Sequence, residues 1–563
     1  MAVETLPKNN LEWHLYGAGL DNLGDDGKAS VVPMPEVGPN ELLVRIEACG
    51  LCFSDTKVIN LGDNHPKLTG RNLKTDPVVL GHEATCTIVK VGDAIKERFK
   101  EGVRYIVQAD VFFNGKSMAF GYVFKGGLAQ YQVLPTEMID GDAGTYLLPI
   151  KTDTGVVEAS LVEPWACVVA AYNINYRHNI KDKGKMLIIQ ASGKADIAEL
   201  FKAGIPSQIL TLGLSGDVED QLPETEIVDF EGALDWDQIR ADYTDGMGFD
   251  DILLIGEVPT DVIEAAILQL AYSGVCSISR TTPFDRPIKT DVGRIHYDNW
   301  QIVGTTGTDM AKTYKAKRTA ELIAGGKAWF IGAGGPMGQM HVQRAVQLPN
   351  PPKLVVATDV DGERLETCRE RYGALAESRG IKFVTINPKE MTPDEFDAKL
   401  KELSGDGFDD VVCMVPVVPV IEHGSKWVGP NGAMNIFAGA ARGTIANFEL
   451  TPVVTKGVQY YGSSGSSMDD MKSALDLMEE GQLQTRASLA AIGGMNAVKE
   501  GMEAVIKGRF PGKIVILPHF VELPLMDLDE LKGRYPTVYT KLEQGRFWTN
   551  DAEQELLRVA RDT

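Results

Sequence analysis

The run Lys327-Ala-Trp-Phe-Ile331, the turn Gly332-Ala-Gly334-Gly335-Pro-Met337-Gly338 and, after a helical stretch, the run Lys353-Leu-Val-Val-Ala-Thr-Asp359 decide how the chain is read. In order they give a buried strand, a glycine turn, a helix and a second buried strand that ends in an acid. That is the pattern of a dinucleotide-binding βαβ unit. Gly332 and Gly334 permit a tight turn and the close approach of a pyrophosphate. The amides of Gly335, Met337 and Gly338 open the helix at the positive end of its dipole. Asp359 is placed to accept hydrogen bonds from a ribose and to repel a 2′-phosphate, so NAD is expected rather than NADP. More than half of the chain precedes this unit.

Working outward, 563 residues make room for about three domains. An apolar fraction of 44% and a charged fraction of 24% are those of a soluble globular protein. A net charge of −22 argues against nonspecific nucleic-acid binding, and it means that an anionic substrate needs a local basic pocket. The start Met1-Ala-Val-Glu-Thr-Leu-Pro7 is too polar for a secretory leader, and no apolar run has membrane-spanning length. Seven cysteines, an odd number in so long a chain, suit a reducing compartment rather than a disulfide framework. A cytoplasmic protein with no membrane partner is expected.

Residues 1–165 read as β-rich. Glu41-Leu-Leu-Val-Arg-Ile-Glu47 alternates as a half-buried strand after the turn signals Pro33, Pro35, Gly38 and Pro39. Within this part lie Cys49-Gly50-Leu51-Cys52-Phe53-Ser54-Asp55, then Gly81-His82-Glu83, then Gly126-Gly127-Leu-Ala-Gln-Tyr131, and finally Glu163-Pro164. A catalytic zinc takes three protein ligands and keeps one position open. Cys52 offers a thiolate, His82 an imidazole, and Glu83 or Glu163 a carboxylate.

The order and spacing of these motifs resemble the zinc-dependent medium-chain dehydrogenase/reductase superfamily, and within it the polyol, sorbitol-type branch. The resemblance implies an α/β protein with a GroES-like catalytic domain, a Rossmann domain and an active-site zinc. It implies Cys52 and His82 as ligands, with Glu83 or Glu163 in place of a second thiolate and the other carboxylate close by. It also implies Asp55 as the acid that orients the histidine and Ser54 as a proton relay, while Cys49 reads as a packed thiol. Two departures stand out. No cysteine lies between Cys86 and Cys167, so the four-cysteine structural lobe of many relatives is missing. Phe53 stands where classical alcohol dehydrogenases carry a basic residue.

The chain also repeats itself. Gly184-Lys-Met-Leu-Ile-Ile-Gln190 returns as Gly326-Lys-Ala-Trp-Phe-Ile-Gly332, Gly248-Phe-Asp-Asp251 as Gly407-Phe-Asp-Asp410, and Val303-Gly-Thr-Thr-Gly307 as Tyr461-Gly-Ser-Ser-Gly465. The earlier copy has lost the fingerprint. Gln190, Ser192 and Asp196 stand for Gly332, Gly334 and Gly338, and Leu214 stands for Asp359. Two tandem Rossmann-like domains are expected, the first degenerate: residues 166–325 degenerate and 326–508 binding NAD. Residues 1–165 form the zinc domain, completed by about 509–563, with 519–563 as a C-terminal tail. Ala311–Gly325 reads as the last helix of the first copy, and the stretch near Lys513-Ile-Val-Ile516 as a strand returning to the zinc domain. The second copy is expected to fold back against the zinc face, leaving the first as a spacer, a dimerisation surface or a pocket wall.

The reading is a zinc- and NAD-dependent oxidoreductase that interconverts a secondary alcohol, a polyol or sugar derivative, and a ketone. Ser54, Glu83 and Glu163 are its candidate catalytic groups. Its partners are a small-molecule substrate and further copies of itself in a homo-oligomer. Two alternatives are an NAD-bound epimerase or lyase using transient oxidation, and a silent NAD-sensing scaffold.

Overall fold

The computed structural model describes residues 6–68, 70–174, 176–315 and 318–560. The chain divides into two compact units. One comprises Met1–Ala170, Gly335–Met340 and Gly465–Thr563; the other comprises Ala171–Gly334 and His341–Ser464. Among the described residues, no helix is long and apolar enough to cross a membrane.

The first unit is built on an eight-stranded sheet. Its strands run in the order Leu147–Pro149, Arg104–Val107, Glu83–Val91, Leu42–Leu51, Lys513–Leu517, Leu489–Gly494 and Met526–Asp527, with Tyr131–Leu134 also paired to Leu42–Leu51. Alternation alone does not mark the central strand Leu42–Leu51, because nearly all of its side chains are covered. Lys513–Leu517 lies antiparallel to it, Ile514 opposite Leu51 and Ile516 opposite Cys49, and parallel to Leu489–Gly494. The chain therefore re-enters this unit near residue 465, whereas the sequence placed the return near 509. Two contacts hold the earlier re-entry: strand Leu489–Gly494 needs Lys513–Leu517 as its partner, and helix Met468–Glu479 buries Met471, Ala474 and Leu475 against Val162 and Ala166. The tail ends in helix Asn550–Val559, capped by the Thr549 hydroxyl, which accepts from the Ala552 amide. Its buried Glu553 accepts from the Val156 and Val157 amides at the start of helix Val156–Ser160.

The second unit holds both copies. Each is an all-parallel six-stranded sheet in the doubly wound order 3-2-1-4-5-6. The first is centred on Lys185–Gln190 and Phe249–Ile255, the second on Lys327–Ile331 and Phe408–Cys413. The repeated Phe-Asp-Asp has a structural meaning. The first acid ties down the start of the opening strand: Lys185 N–H donates to Asp250 at 2.9 Å, and Lys327 N–H to Asp409 at 2.8 Å. The second acid holds an arginine, Arg177 on Asp251 at 3.0 Å and Arg318 on Asp410.

A local twofold relates the copies. Strand Ile288–Asp291 pairs antiparallel with its own counterpart Ile445–Phe448, Ile288 opposite Phe448. The contacts are reciprocal: Gly304 lies against Val454, and Gly462, its equivalent, against His296, the equivalent of Val454. The first copy thus packs beside the edge of the second, where an open sheet edge would otherwise be exposed. One hydrophobic core runs through both, taking Leu187 and Trp300 from one and Trp329 and Phe448 from the other. Of the expected helix Ala311–Gly325, the described residues show helix over Ala311–Lys315, and residues 316 and 317 lie outside the described residues. Residues 318–325 are irregular, because Arg318 turns into the second copy to reach Asp410 and the Asp409 carbonyl.

Burial raises the Asp410 carboxyl from its ordinary 3.8 to about 6, against the pull of Arg318. A folded pKa above the unfolded one means that protonation favours the fold, so that contribution is present below pH 3.8 and lost as pH rises through about 6. Arg318→Met, which leaves the carboxylate buried and unpaired, should cost about 3–5 kcal/mol at pH 8 and clearly less at pH 5. Urea unfolding at the two pH values checks this. An equal loss at both would remove the charge as the cause.

Candidate active site

Strand Leu42–Leu51 ends at Gly50 and Leu51, and Cys52 then caps helix Phe53–Leu61. The cap is reciprocal: the Cys52 thiol accepts from the Ser54 amide, and the Cys52 amide donates to Asp55 Oδ2 at 3.0 Å. The other Asp55 oxygen lies 3.1 Å from His82 Nδ1, which leaves the far ring nitrogen toward Cys52. Strand Glu83–Val91 begins beside these groups, with Glu83 opposite Gly50. Ligand atoms of Cys52, His82 and Glu83 all lie within 4.8 Å of one another.

Glu83 is fully buried. Its Oε1 accepts from the buried ammonium of Lys513 on the return strand, and its Oε2 has no hydrogen-bond partner among the described residues. A Cβ at position 50 would lie 2.1 Å from that Oε2, so the glycine is required by close approach. Glu163, in the first turn of helix Val162–Ala170, stands outside the group of three but within its field. Burial raises its carboxyl well above the ordinary range; His82 opposes this, and Glu83 and Asp110 add to it. Burial also disfavours the charged form of His82, yet Asp55, Tyr122 and Cys52 together hold its pKa well above the ordinary value. A metal takes the neutral imidazole, so metal and proton compete for this ring. Cys49 is outside the group of three, fully buried and packed against Gly81 and Gly127.

The glycine turn follows strand Lys327–Ile331, and helix Pro336–Gln347 begins directly after Gly335. Gly332 has φ +82°, and a side chain there would meet Val415 at 2.5 Å. The Gly334 amide donates to Asp359 Oδ2 at 2.9 Å, which puts the acid beside the turn. In the first copy no α-helix follows Lys185–Gln190, only the 3-10 turn Ala198–Lys202. The Gln190 amide fills the turn itself, donating to the Gly193 carbonyl and Ser215 Oγ and accepting from the Ser215 amide. With the turn plugged and the helix dipole gone, a pyrophosphate has no seat there.

Comparison with known proteins fits this layout. The family described as alcohol dehydrogenase GroES-like domain matches residues 38–140, and the one described as zinc-binding dehydrogenase matches residues 336–480. The chain belongs to the zinc-dependent medium-chain dehydrogenase/reductase superfamily. Zinc and NAD are the cofactors that this membership supports. An L-sorbose 1-phosphate reductase of Klebsiella pneumoniae is 23% identical over 546 residues, 95% of this chain and 96% of that one. A mannitol-1-phosphate 5-dehydrogenase of Aliivibrio fischeri is 22% identical over 537 residues, 93% of each. In fold, the chain is similar to 2R,3R-butanediol dehydrogenase from Bacillus subtilis, with a TM-score of 0.50 at 14% identity, covering 90% of this chain and 99% of that one.

The residues fit a zinc ion: a thiolate, an imidazole and a carboxylate converge, and a buried carboxylate oxygen lacks a partner. Four groups beside them escaped the sequence reading, namely Lys513, Tyr122, Asp110 and Cys167. For Lys513 a signal existed, an ammonium at the head of an otherwise wholly apolar strand. Its substitution is diagnostic. Lys513→Met should destabilise the zinc-free protein by about 3–5 kcal/mol, because Glu83 loses its cation. Added zinc should restore much of the loss, and unfolding with and without zinc reads it. An unchanged midpoint in the zinc-free variant would mean that Glu83 is held by other means.

Proposed function

We propose that the protein is a zinc- and NAD-dependent oxidoreductase that interconverts a secondary hydroxyl of a polyol or sugar derivative and the corresponding ketone. The observation that carries this reading is the convergence of Cys52, His82 and Glu83 behind one entry of the chain into its β-rich unit. When bound, zinc supplies Lewis acidity that makes a substrate hydroxyl easier to deprotonate, and NAD supplies the hydride acceptor. The chain's own residues do the rest. Asp55 fixes the ring of His82 through Nδ1, and Lys513 fixes Glu83 through Oε1, so both ligands are held before a metal arrives. Of the two carboxylates open as ligands from the sequence, Glu83 is favoured, since it lies with Cys52 and His82 and Glu163 does not. Glu163 is then free to take the proton of the substrate hydroxyl. Ser54, hydrogen-bonded to Tyr122, passes it outward. Gly332, Gly334, Gly335, Met337 and Gly338 seat the pyrophosphate, and Asp359 takes the ribose.

A panel of polyols and sugar phosphates with NAD, followed by NADH absorbance, should find a turned-over substrate. The protein should hold about one zinc per chain, and Cys52→Ser should lose both metal and turnover. Net NADH from no member of the panel, or full zinc in Cys52→Ser, would overturn the reading.

Cofactor choice gives a second expectation. Asp359→Ala removes the charge that repels a 2′-phosphate and should move the NAD:NADP preference toward NADP by roughly tenfold, ~1.4 kcal/mol. An unchanged ratio of kcat/KM values would place the ribose acid elsewhere.

A further inference from the structure

Beside the metal ligands lies a cationic rim that the redox chemistry does not use. After helix Phe53–Leu61 the chain makes two short turns, Gly62–Asn64 and Pro66–Leu68, which bring His65 and Lys67 to the ring of Tyr122. The His65 ring lies 5.6 Å from that ring and the Lys67 ammonium 4.9 Å from its centroid. The same phenol lies 5.6 Å from the ring of His82. Tyr122 is therefore shared by a metal ligand and two basic groups, and its hydroxyl meets Ser54.

Three observations give this rim a task. First, the chain carries a net charge of −22, and Glu163 and Asp110 add negative charge beside the ligands. An anionic substrate reaches such a site only if a local positive field draws it. Second, two ammonium groups stand there, Lys67 over the Tyr122 ring and Lys57 on the exposed face of the preceding helix. Burial, then Lys67, then Lys57, hold the His65 imidazole below its ordinary pKa. Third, the cation is loosely committed. Lys67 pairs with Asp110 at 3.1 Å, but their side chains are 37% and 34% exposed, and such a pair is weakly held. A phosphate dianion offers more charge and more acceptor oxygens than the single carboxylate it would replace.

Resting on the oxidoreductase reading above, we propose that Lys67 and His65 form the subsite for the phosphate of a phosphorylated polyol whose reacting carbon lies at the Cys52–His82–Glu83 centre. Lys67 leaves Asp110 for the phosphate, His65 donates a hydrogen bond, and Tyr122 forms the wall between phosphate and reacting carbon.

The test needs no turnover. The zinc-loaded protein, its Lys67→Met variant and its Lys67→Arg variant are titrated calorimetrically with inorganic phosphate. Wild type should bind it, Lys67→Met should bind about tenfold or more weakly, and Lys67→Arg should retain binding. Because Lys67 is exposed, all three should unfold at the same temperature. Phosphate binding that ignores Lys67→Met, or none in wild type, overturns the subsite. In kinetics, Lys67→Met should raise KM for a phosphorylated polyol far more than for the same polyol without phosphate; equal effects on both would also overturn it. A titration that responds to Lys67 in a protein that oxidises no member of the panel would keep the subsite and discard the redox reading. Turnover that does not respond to Lys67 would do the reverse.

Discussion

Glu83 and Lys513 meet in the interior of the β-rich unit, 430 residues apart in the chain and both almost fully covered. A carboxylate so deep is tolerable only beside a cation, and the ammonium is supplied by the strand Lys513–Leu517 that inserts against Leu42–Leu51. Much of the unit's architecture follows from delivering that strand. Helix Met468–Glu479 packs on the helix that carries Glu163, Gln108 donates to Ser466 and Ser467, and Trp165 donates to Ser488. The re-entry therefore secures the elements that hold Cys52, His82, Glu83 and Glu163. A thiolate in place of Glu83 would be a weaker reason for a buried lysine at 513.

The two Rossmann-like copies show which features a fold keeps and which a site keeps. Both retain strand order, the acid that ties down the opening strand and the arginine on the second acid. These set the sheet, and the sheet survives in both. Only one retains the glycine turn, the helix after it and the terminal acid. In the other a glutamine amide occupies the turn and the helix has collapsed to a 3-10 segment. That copy packs beside the edge of its twin, and strands Ile288–Asp291 and Ile445–Phe448 pair between the two.

The sequence carried the parts of this account that rest on local chemistry. Glycine spacing, strand patterning and the acid at 359 made the cofactor unit legible, and repeated tetrapeptides exposed the duplication. Cys52, His82 and a carboxylate, Glu83 or Glu163, were legible as candidates because motif order implied them. What was hidden depends on distant partners. The choice between Glu83 and Glu163 turns on which carboxylate faces Cys52, and no periodicity encodes that. The early re-entry at 465 is set by strand pairing between Leu489–Gly494 and a strand not yet made. The helix expected at Ala311–Gly325 does not extend through residues 318–325, because a tertiary ion pair at Arg318 outweighs local propensity. Lys67 and His65 sat in an unremarked loop until the ring of Tyr122 gathered them.

A metal centre completed by a carboxylate held by a buried lysine, and not by a second thiolate, has a spectroscopic signature. X-ray absorption at the zinc edge of the purified protein tests it most directly. One sulfur neighbour at about 2.3 Å is expected, the remaining neighbours being nitrogen or oxygen at about 2.0–2.2 Å. Two sulfur neighbours would bring a second cysteine such as Cys167 into the centre and contradict it.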